Sequence, residues 1–442
     1  MTMIRSSILV ATAVGSLLAL PGGARAAAPN PPPGFTALFN GADLAGWWGA
    51  ETEDPRKWMA LPPEEFKKKH DASLEDIRKH WRAENGELVN DGHGLYLTTE
   101  KNYRDFEFLV DYKTVPLADS GIYLKGCPQV QIWDSSEQAK FNLGANKGSG
   151  GLWNNSPGAP GKDPLVLADK PFGEWNHFRI QQLGARTWVW FNEKLVVDNA
   201  LLENYFNRKL PIPPTGPLQL QTHGGEIRWR DLYLREIPGE EANQLLRGQD
   251  PEGFVPVFNG RDFEGWAGPV DCCEAKDGAI VWRKEKGGTI YTKEEYADFI
   301  ARLEFKLPRG GNNGLAIRYP GQGNTAYDGM CEILVLDDNY EKATGDQIDP
   351  RQAHGSAYGM FAAARGYQRP IGEWNYEEVT VIGSKIKVEL NGTVILDCDL
   401  SQVKELMHND AHPGKDRTTG HFGFAGHNDP VQFRHISLKR LK

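Results

Sequence analysis

From Asp298 to Leu307 the chain reads DFIARLEFKL, in which Phe299, Ala301, Leu303 and Phe305 alternate with Ile300, Arg302, Glu304 and Lys306. That period of two is the pattern of a half-buried strand. A second run, KIKVEL, is followed by Asn391-Gly392 and then TVILD. Two strand-like runs around an Asn-Gly pair predict a hairpin with a tight turn of the primed type. Strands of this kind recur along the chain between Gly-rich and Pro-rich loops, which predicts antiparallel two-sheet sandwiches. One stretch breaks the pattern. PPEEFKKKHDASLEDIRKHW (Pro62–Trp81) is helical in character, with Ser73 and Asp76 spaced as a capping box, and forms either a lid or surface padding.

The strand pattern is written twice. FNGADLAGW (Phe39–Trp47) returns as FNGRDFEGW (Phe258–Trp266), and GEWN at Gly173–Asn176 returns at Gly372–Asn375. DSGIYLK (Asp119–Lys125) aligns with NNGLAIR (Asn312–Arg318), and FNEKLVVD (Phe191–Asp198) with LNGTVILD (Leu390–Asp397). Near the ends of the two halves, THGGEIRWRDLYLREI aligns with GHNDPVQFRHISLKRL. Landmarks kept in one order over such a span mean duplicated domains, not a short solenoid repeat. The boundaries expected are a signal peptide over 1–26, a first domain over 29–237, a linker over 238–251 and a second domain over 252–442. The helical insertion has no counterpart in the second half. Trp47 and Trp266 are expected as core anchors, and so are the tryptophans of the two GEWN motifs, Trp175 and Trp374.

Composition narrows the function classes. The 442 residues exceed the size at which single cores stop growing, which agrees with two domains. A net charge of −9 argues against nucleic acid or an anionic membrane as partner. Thirteen tryptophans among many glycines and prolines suit an all-β protein that stacks sugars. Arg5, the apolar run Ile8–Leu20 and the Ala24-Arg25-Ala26 site form an export signal, too short for a membrane span and not followed by a lipidation cysteine. The expected location is therefore periplasmic or extracellular. Five cysteines without a CxxC pair give no thiolate zinc site and read as small buried hydrophobes. The Gly-rich GSGG lacks a strand-to-helix setting for a dinucleotide, and no GxSxG elbow is present.

Taken together, FNG-x-D-x-x-GW, Asp-Phe after a tyrosine (Tyr103–Phe106, Tyr296–Phe299), SGI or NGL, GEWN, a late histidine and the closing FRHISLKRL resemble the 3-keto-disaccharide hydrolase domain family. The resemblance covers nearly all of the chain after residue 26, as two copies, and is strongest in the second. It implies an all-β chain of two tandem concanavalin-A-like jelly-roll β-sandwiches, the first carrying the helical insertion. It also implies a substrate, a glycoside already oxidised to a ketone at C3. Such a ketone acidifies the C2 hydrogen, so a base can remove it and the C1 aglycone can leave by β-elimination, with or without later addition of water. The site then needs a base, an acid for the leaving oxygen and a donor for the enediolate.

Strand parity selects residues for those roles. In the second repeat Arg318, Glu332, His354, Tyr358 and His427 are placed on one concave surface, with Asp337 and Asp338 at its edge. Glu332 or His354 would be the base, Tyr358 or His427 the acid, and Arg318 the enediolate clamp. The first repeat offers Tyr123, Lys125, Gln129, Gln131, Asp134, Trp153 and His223, of which Tyr123, Lys125, Gln131, Asp134, Trp153 and His223 are read as substrate-binding. It lacks a partner for His354, so the second repeat is expected to carry the chemistry. A divalent ion held by carboxylates with His354 or His427 is compatible with the residues, but no compact ligand motif is present. The alternative to an enzyme is a tandem lectin. An ordinary glucanase would need acidic residues alternating along one strand, and Cys331–Asp337 has only Glu332 in phase.

Overall fold

A computed structural model describes residues 29–441; the export signal expected over 1–26 lies outside the described residues. Each repeat folds into two facing antiparallel sheets with the same strand order. In the second repeat the smaller sheet runs Trp266–Ala267, Gly287–Tyr296, Gly420–His427, Asn312–Tyr319, Cys331–Leu336. In the first it runs Trp47–Ala50, Tyr96–Thr99, Gln219–Leu220, Asp119–Leu124, Cys127–Trp133. The larger sheets hold eight strands each, among them Phe299–Lys306 and its counterpart Phe106–Thr114. The chain is thus all-β, two jelly-roll sandwiches in tandem.

The predicted alternation is kept where burial is local. Phe299, Ala301, Leu303 and Phe305 face the core of the second sandwich with Phe422, Phe424 and Phe433, the last two stacked 4.1 Å apart. Rings of this size contribute about 2–3 kcal/mol each by leaving water. Trp47 and Trp266 anchor the two cores, each indole N–H donating to a backbone carbonyl, of Leu38 at 2.9 Å and Val257 at 2.8 Å. Asn391 and Gly392 both take positive φ, 49° and 79°, as the hairpin requires.

Three expectations are corrected. Trp175 and Trp374 lie half-exposed, each held by two cations: Lys113 and Arg230 at 4.5 and 4.1 Å, Lys306 and Arg434 at 4.7 and 4.2 Å. The asparagine after each tryptophan is what the core takes in. The helix Pro63–His80 is continuous, so Ser73 and Asp76 are not a cap. They tie the helix to strands instead, Ser73 Oγ accepting from Gly49 N and Asp76 from Leu95 N. The helix and the short Pro55–Met59 cover Trp48 and Ala50 on the outer face of the small sheet. Finally, the strand read as half-buried is buried on both sides, since Arg302 and Glu304 lie beneath the 238–251 segment. Arg302 donates to Gln249 O at 2.5 Å and Glu378 at 2.6 Å, and Glu304 accepts from Arg434 at 2.9 Å and from Arg247.

That segment forms the helix Gly239–Arg247, whose Ala242 and Leu246 join Leu183, Trp188, Ile237 and Tyr376 in an apolar cluster between the domains. Beside it, buried Arg369 donates to Asp105 at 2.8 Å, and Arg186 meets Glu389 with two hydrogen bonds of 2.5 and 2.6 Å. All five cysteines are free, four of them buried.

Candidate active site

On the strand Cys331–Leu336, Cys331, Ile333 and Val335 point into the sandwich, which leaves Glu332, Leu334 and Leu336 on the concave side. Glu332 is opposite Ala316 and one register step from Gly314. A Cβ at Gly314 would come within 2.0 Å of Glu332 Oε1, so only glycine lets this carboxylate lie flat on the neighbouring strand. There His427 Nε2, from the end of Gly420–His427, stands 3.5 Å from Glu332 Oε1. The bond to Glu332 holds the imidazole's pKa above its ordinary value, against the opposing effect of burial.

Around this pair lies a pocket of about 200 Å³, room for one pyranose ring. Its far wall comes from loops. Tyr358 N donates to Glu332 O at 3.0 Å, which ties the 350–361 loop to the same strand. Gln352 donates to the Tyr358 hydroxyl at 3.4 Å, and the ring meets Tyr327 edge-on at 6.0 Å. Tyr327 sits in a helical turn capped by Asn324 and backed by His412 at 4.7 Å; burial, then Tyr358, pushes its hydroxyl up to about 12. Asn312 also lines the pocket, its buried Oδ1 lacking a hydrogen-bond partner among the described residues.

The structure therefore gathers Glu332, Tyr358 and His427 but separates the rest. Arg318 is a correction: it is buried, because its φ of +48° sits at a register shift between Ala316 and Tyr319 and turns the side chain off the concave face. It donates to Ala297 O, Gly383 O and Arg417 O at 2.8 Å each and pairs with Asp298 at 3.1 Å. Lys125 is corrected likewise: φ is +54°, the side chain is buried, and Nζ donates to Gly184 O at 2.7 Å. His354 lies inside the sandwich, 3.4 Å from Glu377, against the Phe305 ring at 4.9 Å. Asp337 and Asp338 are loop staples, accepting from Gly310 N at 2.8 Å and Gly366 N at 3.1 Å, and line a separate cleft by Arg104. Asp134 is the first domain's version, accepting from Leu117 N and Ser136. Tyr123 is buried beside Tyr96 and Thr52. Gln131 and His223 sit at the other end of that sheet, around Asp119, and Trp153 lies against Trp133.

Sequence reasoning missed Tyr327 and Asn312. Asn312 had a signal, the first letter of the aligned pair DSGIYLK and NNGLAIR. Tyr327 had none, since a loop brings it. Among the described residues no three His, Cys, Asp or Glu side chains converge as metal ligands, and Glu332 with His427 supplies only two donors. Among them, too, no helix is long and apolar enough to cross a membrane.

The model of the 3-keto-alpha-glucoside-1,2-lyase-like domain matches residues 34–235 and again 253–439. A 3-keto-disaccharide hydrolase from Bacteroides thetaiotaomicron is 27% identical over 254 residues, 47% of this chain and 86% of that protein. Among solved structures, a candidate glycosyl hydrolase from Parabacteroides distasonis is 26% identical, with 43% of this chain and 95% of that one covered and a TM-score of 0.37. A carbohydrate-binding module from Bacillus subtilis is 12% identical, with 40% and 95% covered and a TM-score of 0.26.

Proposed function

The chain belongs to the 3-keto-alpha-glucoside-1,2-lyase-like domain family, and on that premise we propose that it is an exported glycoside-acting enzyme that cleaves 3-keto-glycosides in its second domain. The observation that carries this reading is the Glu332–His427 pair lying over Gly314 on the floor of a one-ring pocket. Glu332, beside the imidazole, takes the C2 proton. The electron pair moves toward the C3 carbonyl, and the oxygen that gathers charge there is met by the His427 N–H, which its carboxylate partner keeps protonated to higher pH. The C1–O bond then breaks, and the leaving oxygen takes the Tyr358 hydroxyl proton. Water added across the resulting unsaturated ketone completes a net hydrolysis. With Arg318 and His354 committed inside the fold, the clamp falls to His427 and the base to Glu332.

Glu332→Gln keeps the shape and removes the base. We expect aglycone release from a 3-keto-glucoside to fall by about 10²–10⁴-fold, the range for a general base. Undiminished release would sink the assignment, and binding by the wild type without any turnover would favour a carbohydrate-binding protein. Export is checked by locating the protein in the periplasm or medium with an N-terminus beginning near residue 27.

A further inference from the structure

The duplicated register exposes an exchange between the two concave sheets. Gly121 pairs with Gln131 and Ile122 with Val130, as Gly314 pairs with Leu334 and Leu315 with Ile333. Asp119 therefore stands where the second domain has Asn312, and Gln129 where it has Glu332. Each domain holds one carboxylate and one amide at these two places, in opposite order. The histidine at the third place is kept, and it pairs with whichever neighbour is the carboxylate: His223 Nδ1 lies 3.3 Å from Asp119, as His427 Nε2 lies 3.5 Å from Glu332. The first domain has thus not lost the pair that the bare alignment of Gln129 with Glu332 suggests.

The company of Asp119 is different. Gln131 Nε2 donates to it at 2.9 Å and Lys140 Nζ at 3.1 Å, so with His223 three donors occupy the carboxylate. A carboxylate so held is a poor proton acceptor but a firm anchor. The place of Tyr358 is taken by Trp153, since Val130 bridges Leu152 as Ile333 bridges Ala357. Its indole N–H is spent on Leu143 O at 3.0 Å, and it meets Trp133 edge-on at 6.0 Å. No hydroxyl is left there to protonate a leaving group. Finally, the side-chain oxygens of Gln129 and Gln221 flank Gly121, 3.0 and 3.1 Å from where a Cβ would stand. Both are buried and lack a donor among the described residues. Such acceptors destabilise a fold unless a donor reaches them.

We propose that the concave sheet of the first domain is a second carbohydrate site, in which Asp119, His223, Gln129, Gln221 and Trp153 hold a glycoside through its hydroxyls and one ring face without cleaving it. This rests on the reading that sugars are the ligands of this chain and that the second domain cuts them. The first domain then keeps the enzyme on a glycoside while the other works.

The test is calorimetric titration of the full chain with methyl α-D-glucopyranoside, which has no C3 ketone. Two sites per chain are expected in the wild type. Asp119→Ala and Trp153→Ala should each weaken one of them by about tenfold or more, the loss of a charged hydrogen bond or a stacked ring, and leave the other unchanged. A single site that neither variant weakens, or affinities unmoved in both variants, overturns the proposal. Turnover of a 3-keto-glucoside by the wild type is measured alongside: two-site binding without turnover sinks the cleavage reading and leaves the second site standing.

Discussion

Glu332 and Glu377 belong to one domain and are set in opposite surroundings. Glu332 faces the pocket with His427, whereas Glu377 is sealed between the sheets with His354, and among the described residues neither partner of that inner pair completes a side-chain hydrogen bond. Burial pushes Glu377 up to about 8 and His354 down to about 3, so both are carried neutral at pH 7. For Glu377 the folded state binds its proton more tightly than the unfolded one. Its contribution is whole below the ordinary carboxyl value of 4.5 and is lost as pH climbs through about 8. His354 runs the other way, and costs stability as pH falls below 6.5. Glu377→Gln should therefore raise the melting temperature at pH 8 and leave it near wild type at pH 4.5, read by circular dichroism. An equal shift at both values would show that the proton is not the cause. The first domain solves the same place with Phe178, stacked on Phe191 at 4.3 Å.

At the scale of elements, the strand that carries Arg318 shows what can and cannot be read from letters. Alternation placed Phe299 to Phe305 correctly, because burial repeats every second residue so long as the strand stays regular. The same rule failed at Arg318 and Lys125, where a left-handed residue inserts a half-step and sends a cation across the sandwich. Each then clamps the opposite sheet's turn at its carbonyl, of Gly383 and Gly184, while Asp298 and Asp105 accept that turn's N–H at 2.9 and 2.8 Å. Of the site, Glu332, Tyr358 and His427 were legible because regular strands and one aligned loop place them. Tyr327 and Asp119 were not, since one arrives on a loop and the other entered by exchange between strands. Arg318→Met removes the buried guanidinium that pairs with Asp298. We expect a loss of about 3–5 kcal/mol in denaturant unfolding with KM unchanged; a raised KM at full stability would return Arg318 to the site.

At the scale of the whole molecule, the domains meet turn against turn. Ala185 N donates to Gly392 O at 3.0 Å, and a Cβ on Gly392 would stand 2.3 Å from Leu183 O. The Asp105–Arg369 pair is buried beside this contact. The halves should accordingly melt together, in one calorimetric transition. Arg369→Met, which strands Asp105, is expected to lower that transition and split it in two; a single unshifted peak would mean the joint contributes nothing. The Gly184 turn is thus gripped from within by Lys125 and Asp105 and pressed from without by the other repeat. That has a practical bearing on fragments. A recombinant first domain would uncover Leu183 and Trp188 with an unmatched Arg186, and a recombinant second domain Tyr376 with an unmatched Glu389, a sticky and charged scar. Whoever wants the second domain alone for crystallisation or directed evolution should keep its neighbour attached, or redesign that scar before cutting.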